Sequence, residues 1–134
     1  MSNILVVDDD QDTRKLVTHY LKKAGYFVMT AENGRDAFEK DLEAVPDLLI
    51  LDNVMPEMFG YELVKKLKNS DATAYIRIIM LSSLDHPTEI ANGLIAGADD
   101  YIIKPFIPEI LLARVRVQLR TKSLIKQLIK ERKP

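Results

Sequence analysis

Apolar residues along this chain gather into five short runs, and between the runs the apolar spacing becomes helical. Ile4-Leu5-Val6-Val7 stops at Asp8-Asp9-Asp10, and Tyr26-Phe27-Val28-Met29 follows Gly25. Leu48-Leu49-Ile50-Leu51 lies between Asp47 and Asp52. Ile76 to Leu81 is apolar apart from Arg77 and meets Ser82-Ser83, and Tyr101-Ile102-Ile103 is closed by Lys104-Pro105. Short runs without alternation read as strands covered on both faces, the habit of a parallel sheet.

The intervening segments supply the cover. Leu16, Val17, Tyr20 and Leu21 predict a helix from near Asp12 to Ala24, with Gly25 at its end. A second opens at Asn33-Gly34, carries Ala37, Phe38 and Leu42, and ends before Pro46. Leu63, Val64 and Leu67 face inward on a third, from Gly60 to about Leu67. Pro87 suits the first turn of a fourth, capped by Asp85 or His86 and closed at Gly97. The fifth starts near Pro108 and runs to about Lys130. Five strands, each followed by a helix, predict an α/β three-layer αβα sandwich on a five-stranded parallel sheet of flavodoxin-like order 2-1-3-4-5.

Composition changes this picture little. A chain of 134 residues, 47% apolar and 29% charged, is one globular domain rather than a disordered segment. It has no cysteine, so disulfides and thiolate metal sites are excluded. No basic leader and no run near the ~18 residues of a membrane span is present. A cytoplasmic protein without membrane contact is the expectation. Charge is uneven: from Arg114 onward eight basic residues face Glu131 alone, an excess of seven, so the preceding body carries an excess of eight acidic ones to reach the net −1. With no aromatic or groove-reading motif beside these charges, they read as a solvated helix face rather than a nucleic-acid surface.

Candidate chemistry sits where the strands end, because open α/β sheets place their ligand crevice there. In the predicted order the first strand lies beside the third, which brings Asp8, Asp9 and Asp52 together. Carboxylates so close repel, and at least one pKa is pushed up. A hard divalent cation relieves this, and a few oxygen ligands suit Mg²⁺. Ser82 ends the fourth strand with a hydroxyl, and Lys104 ends the fifth with an ammonium. A carboxylate nucleophile, a metal, a hydroxyl donor and an ammonium together describe phosphoryl transfer, with Asp52 attacking phosphorus.

The motifs Ile4-Leu5-Val6-Val7-Asp8-Asp9, Leu49-Ile50-Leu51-Asp52 with Met55-Pro56 and Gly60, Leu81-Ser82-Ser83, and Ala96-Gly97-Ala98-Asp99-Asp100-Tyr101 with Lys104-Pro105-Phe106 resemble the signature of response-regulator receiver domains. The resemblance runs from about Asn3 to Leu119. It implies that Asp52 is the phosphoacceptor of a two-component phosphorelay, charged from a phosphohistidine on a sensor histidine kinase or phosphotransfer protein. It implies Mg²⁺ held by Asp9 directly, by Asp8 largely through water, by Asp52, and by the Val54 carbonyl. Lys104 and Ser82 complete the catalytic set. Ser82 and Tyr101 form the switch, the ring turning inward as Ser82 moves toward the phosphoryl group, which alters the face of helix four, strand five and helix five. Such a domain is not an enzyme beyond its own phosphorylation and dephosphorylation. Phe59 departs from the pattern, standing where the family commonly has Asp. Val54 and Leu84, apolar beside the acceptor, are expected to limit access of hydrolytic water and lengthen the phosphoryl lifetime.

Residues 1–119 are thus read as the receiver and 120–134 as a helical extension. Val117, Thr121, Leu124 and Leu128, with Ile125 and Ile129 beside them, suggest a short two-stranded seam. Receivers joined by a helical stalk to an output domain, such as a diguanylate cyclase or kinase, look similar, and such stalks also form homodimers. An alternative is a haloacid-dehalogenase-like Mg²⁺-dependent phosphatase, but its general acid belongs two residues after the nucleophile, where Val54 stands. A flavodoxin-type FMN protein wants a Gly-, Ser- and Thr-rich first loop, and Asp8-Asp9-Asp10 has the wrong charge.

Overall fold

Pairing of the apolar runs gives a five-stranded parallel sheet in the order β2-β1-β3-β4-β5. The strands are β1 (Asn3–Val7), β2 (Phe27–Ala31), β3 (Leu48–Leu51), β4 (Arg77–Ser82) and β5 (Asp100–Ile103). The computed structural model describes residues 2–37, 45–55 and 59–132. Between the strands lie α1 (Gln11–Lys23), α2 (Gly34–Asp36), α3 (Gly60–Lys68) and α4 (Pro87–Ala96), and α5 (Pro108–Arg132) follows the last. Phe38, Leu42 and Pro56, named from the sequence, lie outside the described residues.

The lack of alternation in the strands has the predicted cause, since each face meets helices. Leu5, Val7, Leu49, Leu51, Ile78, Met80 and Tyr101 pack with Leu63, Val64 and Leu67 of α3 on one side. On the other, Ile4, Val6, Leu48, Ile50, Ile79, Leu81 and Ile102 meet Val17 and Leu21 of α1 and Leu111 and Val115 of α5. Full burial of each such side chain contributes roughly 1.5–3 kcal/mol, so both layers are needed to hold the strand ends in register. Across the sheet Leu51 pairs with Met80 and Met80 with Tyr101, one row on the α3 side.

Local chemistry sets the helix ends. Asp10 caps α1, accepting from the Asp12 N–H at 3.2 Å and the Thr13 hydroxyl at 2.6 Å, and the Thr13 bond leads in lowering its pKa. The third carboxylate of Asp8-Asp9-Asp10 is thereby a structural cap. Gly25 takes φ +95° after α1, a conformation costly for other residues. Of the two cap candidates for α4, His86 acts, its Nδ1 accepting from Thr88 N–H at 3.2 Å. Boundaries shift slightly from expectation: β2 begins at Phe27 and extends to Ala31, and β4 gains Ser82.

α5 departs more. Its basic residues do not form a uniformly solvated face. Gln118 and Lys122 are buried, and with Lys126 they share one stripe at four-residue spacing. Arg77 Nε donates to Gln118 Oε1 at 2.9 Å, Lys122 Nζ donates to the Tyr75 carbonyl at 2.9 Å, and Lys126 pairs with Asp47. Asp47 in turn accepts from Asn3 N–H at 3.0 Å. Burial pushes the Lys122 pKa down. Val117, Leu124 and Leu128 point the other way and are exposed. The helix continues through residue 119 without interruption.

Candidate functional site

The strand ends converge as the topology requires. Asp8 leaves β1, Asp52 leaves β3, and carboxylate oxygens of Asp8, Asp9 and Asp52 all lie within 4.8 Å of one another. Asp8 and Asp52 are buried and Asp9 is exposed. Lys104, just past β5, bridges the two buried members, its Nζ donating to Asp8 Oδ2 at 2.8 Å and Asp52 Oδ2 at 3.2 Å. Backbone amides hold the other oxygens: Asp10 N–H on Asp8 Oδ1 at 2.9 Å, Val54 N–H on Asp52 Oδ1 at 3.1 Å. Arg14, unnoticed in the sequence, donates to the Asp8 carbonyl at 2.6 Å and fixes α1 against the site.

Three carboxylates against one ammonium leave the cluster short of positive charge. Burial raises the Asp8 carboxyl above its ordinary range, although hydrogen bonds from Lys104 and the Asp10 amide favour its charged form. Burial also opposes charge on Lys104, but its hydrogen bond with Asp8 and the attraction of the Asp52 and Asp8 carboxylates outweigh that and raise its pKa. A group of hard oxygen donors carrying excess negative charge matches a divalent cation such as Mg²⁺.

Ser82 is fully buried at the end of β4, its Oγ accepting from Leu84 N–H at 3.2 Å. Tyr101 is buried as well, and its hydroxyl donates to the Leu84 carbonyl at 2.8 Å. The ring thus already occupies the inward position that the sequence reading assigned to the switched form. Space for it comes from α4: a Cβ on Gly93 would stand 2.7 Å from Met80 Sδ and 3.3 Å from the Tyr101 ring. Val54 and Phe59 are exposed at the rim, and Phe59 stacks on Tyr61 with centroids 5.6 Å apart. Asn53 was also missed. It is wholly buried, and its Oδ1 accepts from Tyr61 N–H at 3.2 Å. The signal available was a polar residue continuing an apolar strand.

Comparison with known proteins decides the family. Residues 4–116 match the family described as response regulator receiver domain. The chain belongs to the response-regulator receiver family. Among relatives, it is 41% identical to the phosphate regulon transcriptional regulatory protein PhoB of Pseudomonas aeruginosa over 87% of this chain and 51% of that one. It is also 41% identical to the transcriptional regulatory protein ResD of Bacillus subtilis, over 91% of this chain and 50% of that one. Among solved structures, the beryllofluoride-activated DrrB receiver domain aligns with a TM-score of 0.81 at 38% identity, covering 90% of this chain and 98% of that one. CheY4 of Vibrio cholerae aligns at 0.82 and 37%, covering 88% and 98%. The receiver spans about half the length of the curated relatives it matches. Receivers of this family are not classical enzymes, and their two-component setting implies a histidine kinase partner. Among the described residues no helix is long and apolar enough to cross a membrane.

Proposed function

We propose that this receiver takes a phosphoryl group onto Asp52 from a phosphohistidine and signals through its α4–β5–α5 face. The observation that carries the reading is Lys104 bridging Asp8 and Asp52 at the carboxyl edge of the sheet, with Asp9 completing the acidic group. An Asp52 carboxylate oxygen forms the new bond to phosphorus, the phosphorus–nitrogen bond of the donor breaks, and the imidazole leaves with the electron pair and takes up a proton. Lys104 neutralises charge on the transferring group, and the Ser82 hydroxyl donates to one of its oxygens. Mg²⁺ would be held by Asp8, Asp9, Asp52 and the Val54 carbonyl, and it supplies positive charge to the phosphoryl oxygens when bound. A hollow of about 410 Å³ lined by Thr13, Leu16, Ser83, Lys104, Pro105 and Phe106 adjoins the site and is largely apolar, a suitable seat for the donor protein.

Residues 1–119 form the receiver in this reading and 120–134 its helical extension. The exposed Val117, Leu124 and Leu128 offer a seam to a second copy or lead into an output domain. The named relatives being transcriptional regulators about twice as long favours an attached output domain, with nucleic acid contacted by that domain rather than this one. Incubation with Mg²⁺ and acetyl phosphate, wild type beside Asp52→Ala, tests the chemistry by intact mass. One phosphoryl adduct on wild type and none on the variant is expected; an adduct on both refutes Asp52 as acceptor.

A further inference from the structure

β2 ends the strand order, and only β1 pairs with it. Phe27 N–H donates to the Ser2 carbonyl at 3.2 Å, and the Ala31 carbonyl accepts from Asp8 N–H at 3.2 Å. Backbone groups alternate in a parallel ladder, so Phe27, Met29 and Ala31 face β1 while Val28 and Thr30 aim N–H and C=O outward at the open edge. Val28 packs with the α1 side of the core and Met29 with the α3 side, which puts the Val28 and Thr30 side chains on the α1 side.

α1 stands over this edge. Gln11, Lys15, Thr18 and Lys22 share one helix face, and with Val28 and Thr30 they line a groove of about 320 Å³. Arg14 lines it too and pairs with Glu32 at 3.9 Å. Lys15 and Lys22 are exposed and make no ion pair among the described residues. No described carboxylate lines the groove. Along the helix axis the two lysines are about 10 Å apart at 1.5 Å per residue, close to the length of three extended residues at ~3.3 Å each.

These features select among occupants. An inorganic anion accepts from the two amides and leaves the two outward carbonyls unpaired. A second copy added edge to edge brings its own Lys15 and Lys22 against the first pair, with no carboxylate to offset the repulsion. An extended acidic segment answers both needs. Its main chain pairs with Val28 and Thr30, and its carboxylates on alternate residues face Lys15 and Lys22.

We infer that the β2 edge and the basic face of α1 form a docking groove for an extended acidic segment of a partner protein, which joins the sheet beside β2. The groove includes no member of the Asp8, Asp9, Asp52 and Lys104 cluster, so the inference stands independently of the phosphoacceptor reading.

The probe is a fluorescein-labelled nine-residue peptide alternating glutamate and valine, followed by fluorescence anisotropy, with amide hydrogen exchange of ¹⁵N-labelled protein read by NMR. Wild type is expected to bind it and to slow exchange of the Val28 and Thr30 amides by about tenfold or more, while the Met29 amide, already committed to β1, changes less. Lys15→Glu with Lys22→Glu is expected to keep the wild-type Tm and to weaken binding by at least about tenfold. A peptide with lysine in place of glutamate, and one N-methylated on alternate residues so that it cannot donate to the edge, should both fail to bind. Absence of wild-type binding at ~1 mM peptide overturns the proposal and shows lysines that only guard an edge. Binding that leaves Val28 and Thr30 unprotected, or that survives the double charge reversal, overturns it equally.

Discussion

Replacing Gly60 by alanine tests how rigidly α3 and the Asp52 loop are fitted together. A Cβ there would stand 2.5 Å from the Asp52 carbonyl oxygen and 2.8 Å from Asn53 Cα, both backbone atoms that no rotamer change can move. Reaching 3.4 Å, the edge of ordinary contact, requires a retreat of about 0.9 Å. Since Leu63, Val64 and Leu67 on the same helix are fully packed, that retreat loosens the core beneath α3. Overpacking typically costs 1–3 kcal/mol, and an unyielding backbone puts this case at about 2–3 kcal/mol. For a domain of this size that is roughly 8–12 °C in Tm. The displaced carbonyl belongs to the proposed acceptor, so the labelling rate with acetyl phosphate should also fall, by roughly tenfold to a hundredfold. Differential scanning calorimetry and intact mass read the two effects. A Tm within about 2 °C of wild type and an unchanged labelling rate would show that the loop yields freely and that the close approach constrains nothing. Gly25→Ala is the control, because its added Cβ meets nothing within 4 Å and only the positive φ is strained; it should lower Tm modestly, by the ~1–2 kcal/mol of a left-handed residue, and leave labelling untouched.

Other expectations follow from the same contacts. Asp47 has its carboxyl held below the ordinary value: burial opposes this, but the Lys126 and Asn3 bonds prevail. Its stabilisation is present above the unfolded value of 3.8 and is lost as pH falls through the folded one. Asp47→Asn should therefore be less stable by about 1 kcal/mol near neutrality, with the difference closing in acid urea titrations. Lys122 has the opposite linkage. With its folded pKa below the unfolded 10.5, its charge destabilises the fold at lower pH and the penalty fades as pH rises toward 10.5. Lys122→Met should flatten that alkaline rise in stability, measured by urea unfolding, and an unchanged slope would contradict the assignment. Gly93→Ala gains up to ~1 kcal/mol of helix propensity yet crowds Met80 and Tyr101, so Tyr101 should become more accessible to iodide quenching even if Tm holds. Leu124→Glu with Leu128→Glu should abolish any self-association seen by sedimentation after beryllofluoride loading, without altering loading.

The layered fold was legible because the inner strands β1, β3 and β4 carry unbroken buried apolar runs and helices α1 and α4 open on side-chain caps. The gathering of Asp8, Asp9, Asp52 and Lys104 was legible for a topological reason: a parallel sheet sends all its strand ends to one edge. What the sequence hid was direction within a helix. On α5 the apolar Val117, Leu124 and Leu128 look outward while Gln118 and Lys122 look in, because lysine can bury its stem and reach carbonyls at the far edge of the sheet. Asn53 was hidden by the same kind of exception, a polar side chain in a wholly buried place. The inward Tyr101 depended on the absence of a side chain at Gly93, which pattern reading registers only as a weak helix position.

The three fastenings of α5 at Gln118, Lys122 and Lys126 have an engineering consequence. Beyond Lys126 only six residues of helix remain before its end at Arg132, about 9 Å at 1.5 Å per residue. A module spliced to that end would inherit its heading from the floor of the sheet instead of swinging on a tether. Adding a single residue there would turn the module by about 100° around the helix axis, whereas adding seven would nearly restore its bearing at greater distance. Output read as a function of splice length should therefore oscillate with the helical period.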